Sequence, residues 1–260
     1  MASAIIGGIR KAGMEAAIAV CDTDAEKLSN LQKKYQIFPA NSIKELLKEA
    51  DYLFLSVKPQ NFPDVLGEMK ENIPPETTII SIAAGITPKY ISSVLGYPAK
   101  VVQVMPNTPL LLGYGATALS KSAEVGEAEF AFARSIFDCA GITEVIANDR
   151  MNEIIPINGS SPAFIYQFAR YFIEYGESQG MDGKVCLDLF AQSLIGSAKM
   201  MTDSGYSIDE LIQMVSSKGG TTIAGLEGLR ENGLDKAVKS ACEKCVKRAY
   251  ELTLSGDGSR

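Results

Sequence analysis

Four short stretches set small, polar or charged residues where the chain changes direction, and each is suited to holding a ligand. Ser56-Val57-Lys58-Pro59 follows an apolar run whose strand Pro59 would end. Lys58 there either meets a phosphate or a ribose, or stays solvated. Ala83-Ala84-Gly85 follows a second apolar run; residues this small let a flat ring approach the backbone, and they equally suit a tight turn. Met105-Pro106-Asn107-Thr108-Pro109 places a polar Asn and Thr in a turn stiffened by two prolines. Ser216–Thr222 (SSKGGTT) precedes the helical pattern IAGLEGLREN. Two glycines and two threonines at a helix start offer backbone N–H groups and hydroxyls to an anion, or simply cap a loop.

Composition narrows the chemistry. The 260 residues contain no histidine, which excludes Ser-His-Asp and Cys-His machinery and His-ligated zinc. With 25 Lys+Arg against 31 Asp+Glu, the net charge of −6 argues against nucleic acid or an anionic membrane as partner. No apolar run reaches the roughly 18–20 residues of a membrane span. The opening MASAIIGGIRKAG has neither the basic start nor the apolar length of a secretory signal. Five cysteines, an odd number, fit a reducing compartment, so a cytoplasmic chain is expected. Cys242 and Cys245 form a lone C-x-x-C, open to metal or redox use but also to two small residues on one helix face.

The elements that must position these stretches divide near Arg150. Before it, apolar β-branched runs (Ala16–Asp22, Asp51–Val57, Thr77–Ala83, Lys100–Met105, Ala116–Leu119, Glu144–Ala147) read as strands. Helical spacing falls at Asp24–Tyr35, Ile43–Ala50, Asn61–Glu71 and Pro88–Leu95, with Asp24 a helix cap. Continuous apolar strands separated by helices predict a parallel sheet covered on both faces, a doubly wound α/β architecture. After Arg150 only helices are expected: Ser161–Gln179, Lys184–Asp203, Ser207–Val215, Thr222–Glu231 and Leu234–Leu254, with the SGDGSR end frayed. Phe164, Phe168, Tyr171, Phe172 and Tyr175 form an aromatic stripe, which belongs to a core or an interface. The expected domains are therefore 1–150 for dinucleotide binding and 151–260, all-helical, for substrate and dimerisation.

A doubly wound sheet ordinarily opens with a strand and a G-x-G-x-x-G turn. Here the first readable element is already a helix, Met1–Ala12, stopped by Gly13. The expectation is that a first strand and its glycine loop precede Met1. Without that strand its two neighbours lack a common partner, an expectation that a complete, well-paired sheet from residues 1–150 would overturn.

Taken in order, these stretches resemble the pyrroline-5-carboxylate reductases. The resemblance covers essentially the whole chain. It rests on VKPQ at Val57–Gln60, SIAAG at Ser81–Gly85, MPNTP at Met105–Pro109, GSSPAF at Gly159–Phe164 and GGTTIAGL at Gly219–Leu226. MASAIIGGI is also similar to the family's helix after its G-x-G-N-M loop. The resemblance implies reduction of 1-pyrroline-5-carboxylate to proline, the last step of proline biosynthesis, with hydride from NADPH or NADH. It implies that Ser56, Val57, Lys58, Pro59, Ile82, Ala83, Ala84 and Asn107 border the cofactor and that Asn41 contacts its ribose. Ser217, Gly219, Gly220, Thr221 and Thr222 would bind substrate, with N–H groups of Gly220, Thr221 and Thr222 on its carboxylate. The Thr222 hydroxyl, the catalytic group, would face the ring nitrogen. The helical half would intertwine with a second subunit in a homodimer, and rings of dimers occur in such families; no metal is implied.

The composition suits that reaction. An imine protonates readily in water, so its carbon is electrophilic without a strong general acid, and an aligned hydride donor with a carboxylate clamp suffices. Lys218 stands where the family's loop has proline, and Gln103 where a basic residue is common. Asp22 ends the second strand of the fold, where a carboxylate favours a ribose hydroxyl over a 2′-phosphate, and Asp22-Thr23 lacks the Asn-Arg pair some relatives use for NADPH. The balance tilts slightly towards NADH, or towards no strong preference. Two other readings remain: a non-catalytic oligomeric binding protein, because the phosphate loop is absent, or a related hydroxyacid dehydrogenase, which the lack of a Lys in GSSPAF disfavours.

Overall fold

The structure, a computed structural model, describes residues 1–256. Residues 257–260, most of the end expected to fray, lie outside the described residues. The first half runs α1 (Ala2–Lys11), β1 (Ala19–Val20), α2 (Ala25–Tyr35), β2 (Phe38–Pro39), α3 (Ile43–Leu47), β3 (Tyr52–Leu55) and α4 (Phe62–Lys70). It continues β4 (Thr78–Ser81), α5 (Pro88–Leu95), β5 (Val101–Met105), β6 (Gly115–Lys121), α6 (Glu127–Asp138) and β7 (Gly141–Val145). Local chemistry sets several boundaries. The Asp24 carboxylate accepts from the N–H groups of Glu26 and Lys27, both at 3.1 Å, and starts α2. Thr87 caps α5 in the same way, with Pro88 in its first turn.

The strands form two sets. β1 and β2 make a parallel two-stranded ribbon, and β3-β4-β5-β6-β7 lie side by side in that order. Among the described residues nothing pairs β1 with β3, so a complete, well-paired sheet is not formed, as expected. Two features differ from the sequence reading. β6 runs antiparallel to β5, whereas an all-parallel sheet was expected. Residues 106–114 join them through a 3₁₀ turn, too short for the crossover of about a dozen residues or more that a parallel return requires. β1 is also reduced to Ala19–Val20 from the expected Ala16–Asp22, because it has a ladder on one side only. β2 and α6 have no counterpart among the sequence expectations.

Both faces of the five-stranded sheet are covered. Leu55, Ile79 and Val101 pack with Phe62, Leu66 and Ile91 of α4 and α5. Ile80, Val102 and Val104 pack with Ile5 and Ile9 of α1 and Phe137 of α6. Val101 and Val102 therefore serve opposite cores, which explains why β5 reads as a continuous apolar run.

After a 3₁₀ turn at Asn148–Arg150, the second half contains α7 (Ser161–Ser178), α8 (Gly183–Asp203), α9 (Ile208–Met214), α10 (Thr221–Glu231) and α11 (Leu234–Gly256), with no strand among the described residues. Contacts divide the chain into two compact units. One is Met1–Pro162 together with the chain from Lys244 onward, and the other is Ala163–Glu243. Thus α11 begins in one unit and ends in the other, so no single cut near 150 separates them. Within the helical unit, Phe172 stacks on Phe190 at 4.6 Å and meets Phe168 edge-on at 4.9 Å. No residue of α8, α9 or α10 is buried, and Tyr171 is 58% and Tyr175 65% exposed. Apolar faces this open call for a covering surface.

Two contacts hold the first unit at the ends of β4 and β5. The Asn158 side-chain amide donates to the carbonyls of Met105 (2.7 Å) and Ala116 (3.1 Å). Asn107 in turn donates to the Asn158 carbonyl (3.1 Å) and accepts the Ala116 N–H (3.0 Å). The end of β5, the start of β6 and the segment before α7 are thereby clasped in the interior. Beside this clasp the last turns of α11 settle on the loop after β4. Gly85 has φ +77°, and a Cβ there would lie 3.0 Å from the Ala249 carbonyl oxygen and the Leu252 Cβ. We expect Asn158→Ala to lower the free energy of unfolding by about 2–4 kcal/mol in urea titration, since two buried carbonyls lose donors. Gly85→Ala should cost about 1–3 kcal/mol by the same measurement, from strained φ and the close α11 backbone together; a change within error would mean that α11 can yield.

Candidate functional site

The stretches expected to border a cofactor follow the carboxyl ends of strands, where open α/β sheets take ligands. Ser56, Val57, Lys58 and Pro59 leave β3; Ser56 and Lys58 are exposed, while Val57 packs partly against the α4–α5 core. Ile82, Ala83 and Ala84 leave β4, with the Ile82 N–H bonded to the Leu55 carbonyl at 3.3 Å. The two strand ends are thus tied side by side. Ala83 is buried, and Ala84 joins the small core that includes Ala249 of α11. Asn107 leaves β5 but is itself buried, with its side-chain amide spent on the clasp rather than exposed to a ligand.

Asp22 and Asn41 leave the two strands of the ribbon. The Val20↔Pro39 pairing and the bond from the Ala40 N–H to the Val20 carbonyl (2.9 Å) align these ends, so Asp22 and Asn41 occupy equivalent, adjacent positions. Asp22 accepts the Asp24 N–H at 2.9 Å in a local turn. Asn41 donates from both its backbone (2.9 Å) and its side chain (3.1 Å) to one oxygen of Glu45. Between them the Cys21 thiol is pushed up, by burial first and then by the carboxylates of Glu68, Asp22 and Glu45.

The substrate stretch lies in the helical unit, at the start of α10. Gly220 occupies the cap position, and no side chain caps the helix. First-turn N–H groups have no acceptor inside a helix, so those of Thr221 and Thr222 are left for an external one. The Gly220 N–H, expected to face a carboxylate, instead bonds the Ser217 carbonyl at 2.8 Å and closes the turn. A Cβ at 220 would lie 2.5 Å from the Ser217 hydroxyl and 2.9 Å from its carbonyl oxygen, so a side chain there would force the turn to shift. Ser217, Lys218, Gly219 and Thr221 are exposed, and Thr222 is half-buried.

Three participants escaped the sequence reading. Glu45 was signalled by Ser42, three residues ahead, the spacing of a capping box, and Ser42 does accept the Glu45 N–H at 3.1 Å. Asn158 had only the oddity of an amide inside the apolar run IIPIN. The return of α11 had no signal at all, because helical periodicity does not say where a helix end docks. The C-x-x-C cysteines are free thiols, and Cys245 approaches the Ser160 hydroxyl at 3.2 Å.

These residues fit a dinucleotide. There are acceptors for ribose hydroxyls at Asp22 and Asn41, a passage of small residues at Ala83–Gly85, and a helix start at α1 turned to no capping side chain.

Comparison with known proteins agrees in both halves. Residues 148–252 match the family model described as pyrroline-5-carboxylate reductase dimerisation, and residues 1–85 match one described as NADP oxidoreductase, coenzyme F420-dependent. The pyrroline-5-carboxylate reductase of Escherichia coli (strain K12) is 34% identical over 257 residues, covering 98% of this chain and 96% of that protein. Pyrroline-5-carboxylate reductase 1 of Bacillus subtilis (strain 168) is 32% identical, covering 97% of this chain and 86% of that one. Among solved structures, the 1-pyrroline-5-carboxylate reductase of Streptococcus pyogenes superposes with a TM-score of 0.88 at 30% identity, over 96% of this chain and 95% of that chain. The Plasmodium falciparum pyrroline carboxylate reductase with NADP bound gives 0.88 at 26% identity, over 96% and 94%. With one relative of known name matched from end to end at this identity, and the same family found in the fold, the chain belongs to the pyrroline-5-carboxylate reductase family.

Proposed function

We propose that this protein reduces 1-pyrroline-5-carboxylate to L-proline with NADPH or NADH, the final step of proline biosynthesis. The observation that carries the reading is the start of α10. It is a helix of 11 residues opening on Gly-Thr-Thr, without a capping side chain and with first-turn N–H groups left over. Those N–H groups, on Thr221 and Thr222, would bind the substrate carboxylate, with the positive end of the helix dipole behind them. The Thr222 hydroxyl would accept from the protonated ring nitrogen, orienting the C=N bond and holding its proton in place. Ser217 and Gly219 shape the turn, and the Lys218 ammonium adds positive charge beside the carboxylate.

The nicotinamide cofactor, when bound, supplies the hydride. Asp22 and Asn41 would receive its ribose hydroxyls, and Ser56, Val57, Lys58 and Pro59 would border it along the edge of β3. Ile82, Ala83 and Ala84 would leave room for a flat ring beside the backbone, and Asn107 would stiffen that wall through its clasp with Asn158. The imine carbon takes the hydride and the C=N π pair settles on nitrogen, which already carries its proton, so the product amine forms without a protein acid. Residues 1–150 would serve the cofactor and 151–260 the substrate and dimerisation.

The open aromatic face of α7 supports a homodimer formed through the helical half, and rings of dimers would extend the same surface. Among the described residues no helix is long and apolar enough to cross a membrane. A cytoplasmic setting, with no nucleic-acid partner, fits the net charge of −6 and the unpaired cysteines.

Purified protein should oxidise NADPH or NADH only when pyrroline-5-carboxylate is present, with proline appearing in equal amount. Thr222→Ala should lower kcat/KM for the imine by about tenfold to hundredfold, the worth of one charge-assisted hydrogen bond, without changing cofactor dissociation constants. Unaltered kinetics would remove Thr222 from the site. Light scattering should give an even multiple of 27.9 kDa, and Tyr171→Asp should weaken that assembly by about 2 kcal/mol or more. A mass of one chain for the unaltered protein would refute the dimer.

A further inference from the structure

One row of the large sheet is polar where the rows beside it are apolar. Ser81 of β4 lies in register with Gln103 of β5, and Gln103 with Ser120 of β6. Side chains two apart on a strand share a face, which puts this row on the α4–α5 side of the sheet. On one flank of the row, Ile79 and Val101 belong to the α4–α5 core. On the other, Met105 and Ala118 belong to the small core that also holds Met151, Ile155 and Ala249. The row is therefore the seam between two apolar cores. It is fully interior, with Ser81 0% exposed and Gln103 and Ser120 2% each. Yet Ser81 Oγ, Gln103 Oε1 and Ser120 Oγ have no hydrogen-bond partner among the described residues. Ser122, just past the end of β6, shows the contrast. Its hydroxyl donates to the Ala99 carbonyl (3.0 Å) and accepts the Val101 N–H (3.1 Å), both at the start of β5. Beside the polar row the backbone is engaged in the ladders instead.

A buried oxygen with nothing to bond lowers the folding constant by about fivefold to a hundredfold, and here three stand in one row. Whatever satisfies them must reach side chains on adjacent strands that do not bond one another, and must donate as well as accept. An ion is a poor guest, because all three groups are uncharged and a buried charge needs a counter-charge. An apolar guest would bond none of them. Water meets both demands, and an internal water ordinarily makes about three hydrogen bonds to groups of this kind. We propose that the Ser81–Gln103–Ser120 row is a binding site for internal water, one molecule on each side of the Gln103 side chain. One bridges β4 to β5 and the other β5 to β6. The two waters tie the three strands together where side-chain packing passes from one core to the other. The assignment depends on neither cofactor nor substrate.

The test joins a high-resolution crystal structure of the whole protein to urea unfolding of two variants. The expected density shows a water on each side of Gln103, within about 2.5–3.2 Å of its amide and of the neighbouring serine hydroxyl. Ser81→Ala and Ser120→Ala each take one partner from a bridging water, so each should lower the folding constant by about threefold to tenfold. If the oxygens were dry, the same changes would remove an unpaired buried hydroxyl and raise the folding constant. The two readings thus differ in sign. Replacing sodium chloride by choline chloride should leave the unfolding midpoint of the unaltered protein where it is. Absence of density beside Gln103, a peak with the short ligand distances of a metal ion, a midpoint that falls in choline chloride, or a gain of stability in either variant overturns the proposal. The crystal structure of the unaltered protein decides alone if a variant fails to fold.

Discussion

The side-chain amide of Asn158 is the interaction on which the corner between β5 and β6 depends. β5 and β6 pair in opposite directions as far as Met105 and Ala118, and the 106–114 link beyond that ladder is held by side chains. Asn158 does this by giving both of its hydrogens to carbonyls at the two lips of that turn, Met105 and Ala116. Its own backbone carbonyl anchors Asn107, which fixes the rigid Pro-Asn-Thr-Pro corner from inside. The two hydrogens of this buried amide are matched, each worth about 1 kcal/mol, while its Oδ1 is buried without a partner among the described residues. The cores on either side supply bulk stability, but they are indifferent to the shape of this corner; the amides specify it.

The chemistry divides by polarity. At the ribbon's end the Asp22 and Asn41 side-chain oxygens are acceptors; at the start of α10 the leftover backbone N–H groups are donors. A nucleotide ribose and an imine carboxylate need those two environments respectively, and neither needs a side chain that titrates near neutrality. This is how a chain without histidine serves a redox reaction: the proton travels with the substrate as the iminium, so the protein's task reduces to alignment and charge. A hydroxy-acid dehydrogenase would need a base at the reacting oxygen.

Much of this was legible in the sequence because it is local. The Asp24 cap, the Thr87-Pro88 start of α5 and the Gly-Thr-Thr opening of α10 each act within four residues, and each appears where pattern places it. The ends of three strands were also readable, since Pro59, Gly85 and Pro106 follow them whatever the sheet order. What stayed hidden depends on distance along the chain. Nothing near Asn107 announces that Asn158, 51 residues later, will take its side chain. Nothing in the periodicity of α11 foretells that Ala249 will lie against Gly85. The antiparallel turn of β6 follows from the short 106–114 link, a length visible in the sequence but meaningful only once β6 is known to pair with β5. α6 hid for another reason: it starts at Gly126 without a polar cap side chain, and only the Glu129 carboxylate, bonding back to the Gly126 N–H at 2.7 Å, secures its first turn.

The ribbon is the least expected element to be precise, yet it carries the residues that would read the ribose. Two strands of two residues each are marginal in water by themselves. Helix α1 compensates from both sides. Its Ile5 and Ile9 are buried against Ile80, Val102 and Val104 of the large sheet. Its Arg10 reaches the carbonyls of Ala16, just before β1, and Tyr35, at the end of α2. A guanidinium bonded to neutral carbonyls is a strong, planar tie, about 1.5–3 kcal/mol for charge-assisted bonds of this kind. The placement of Asp22 and Asn41 relative to the large sheet thus passes through one arginine and a helix face rather than through a strand ladder.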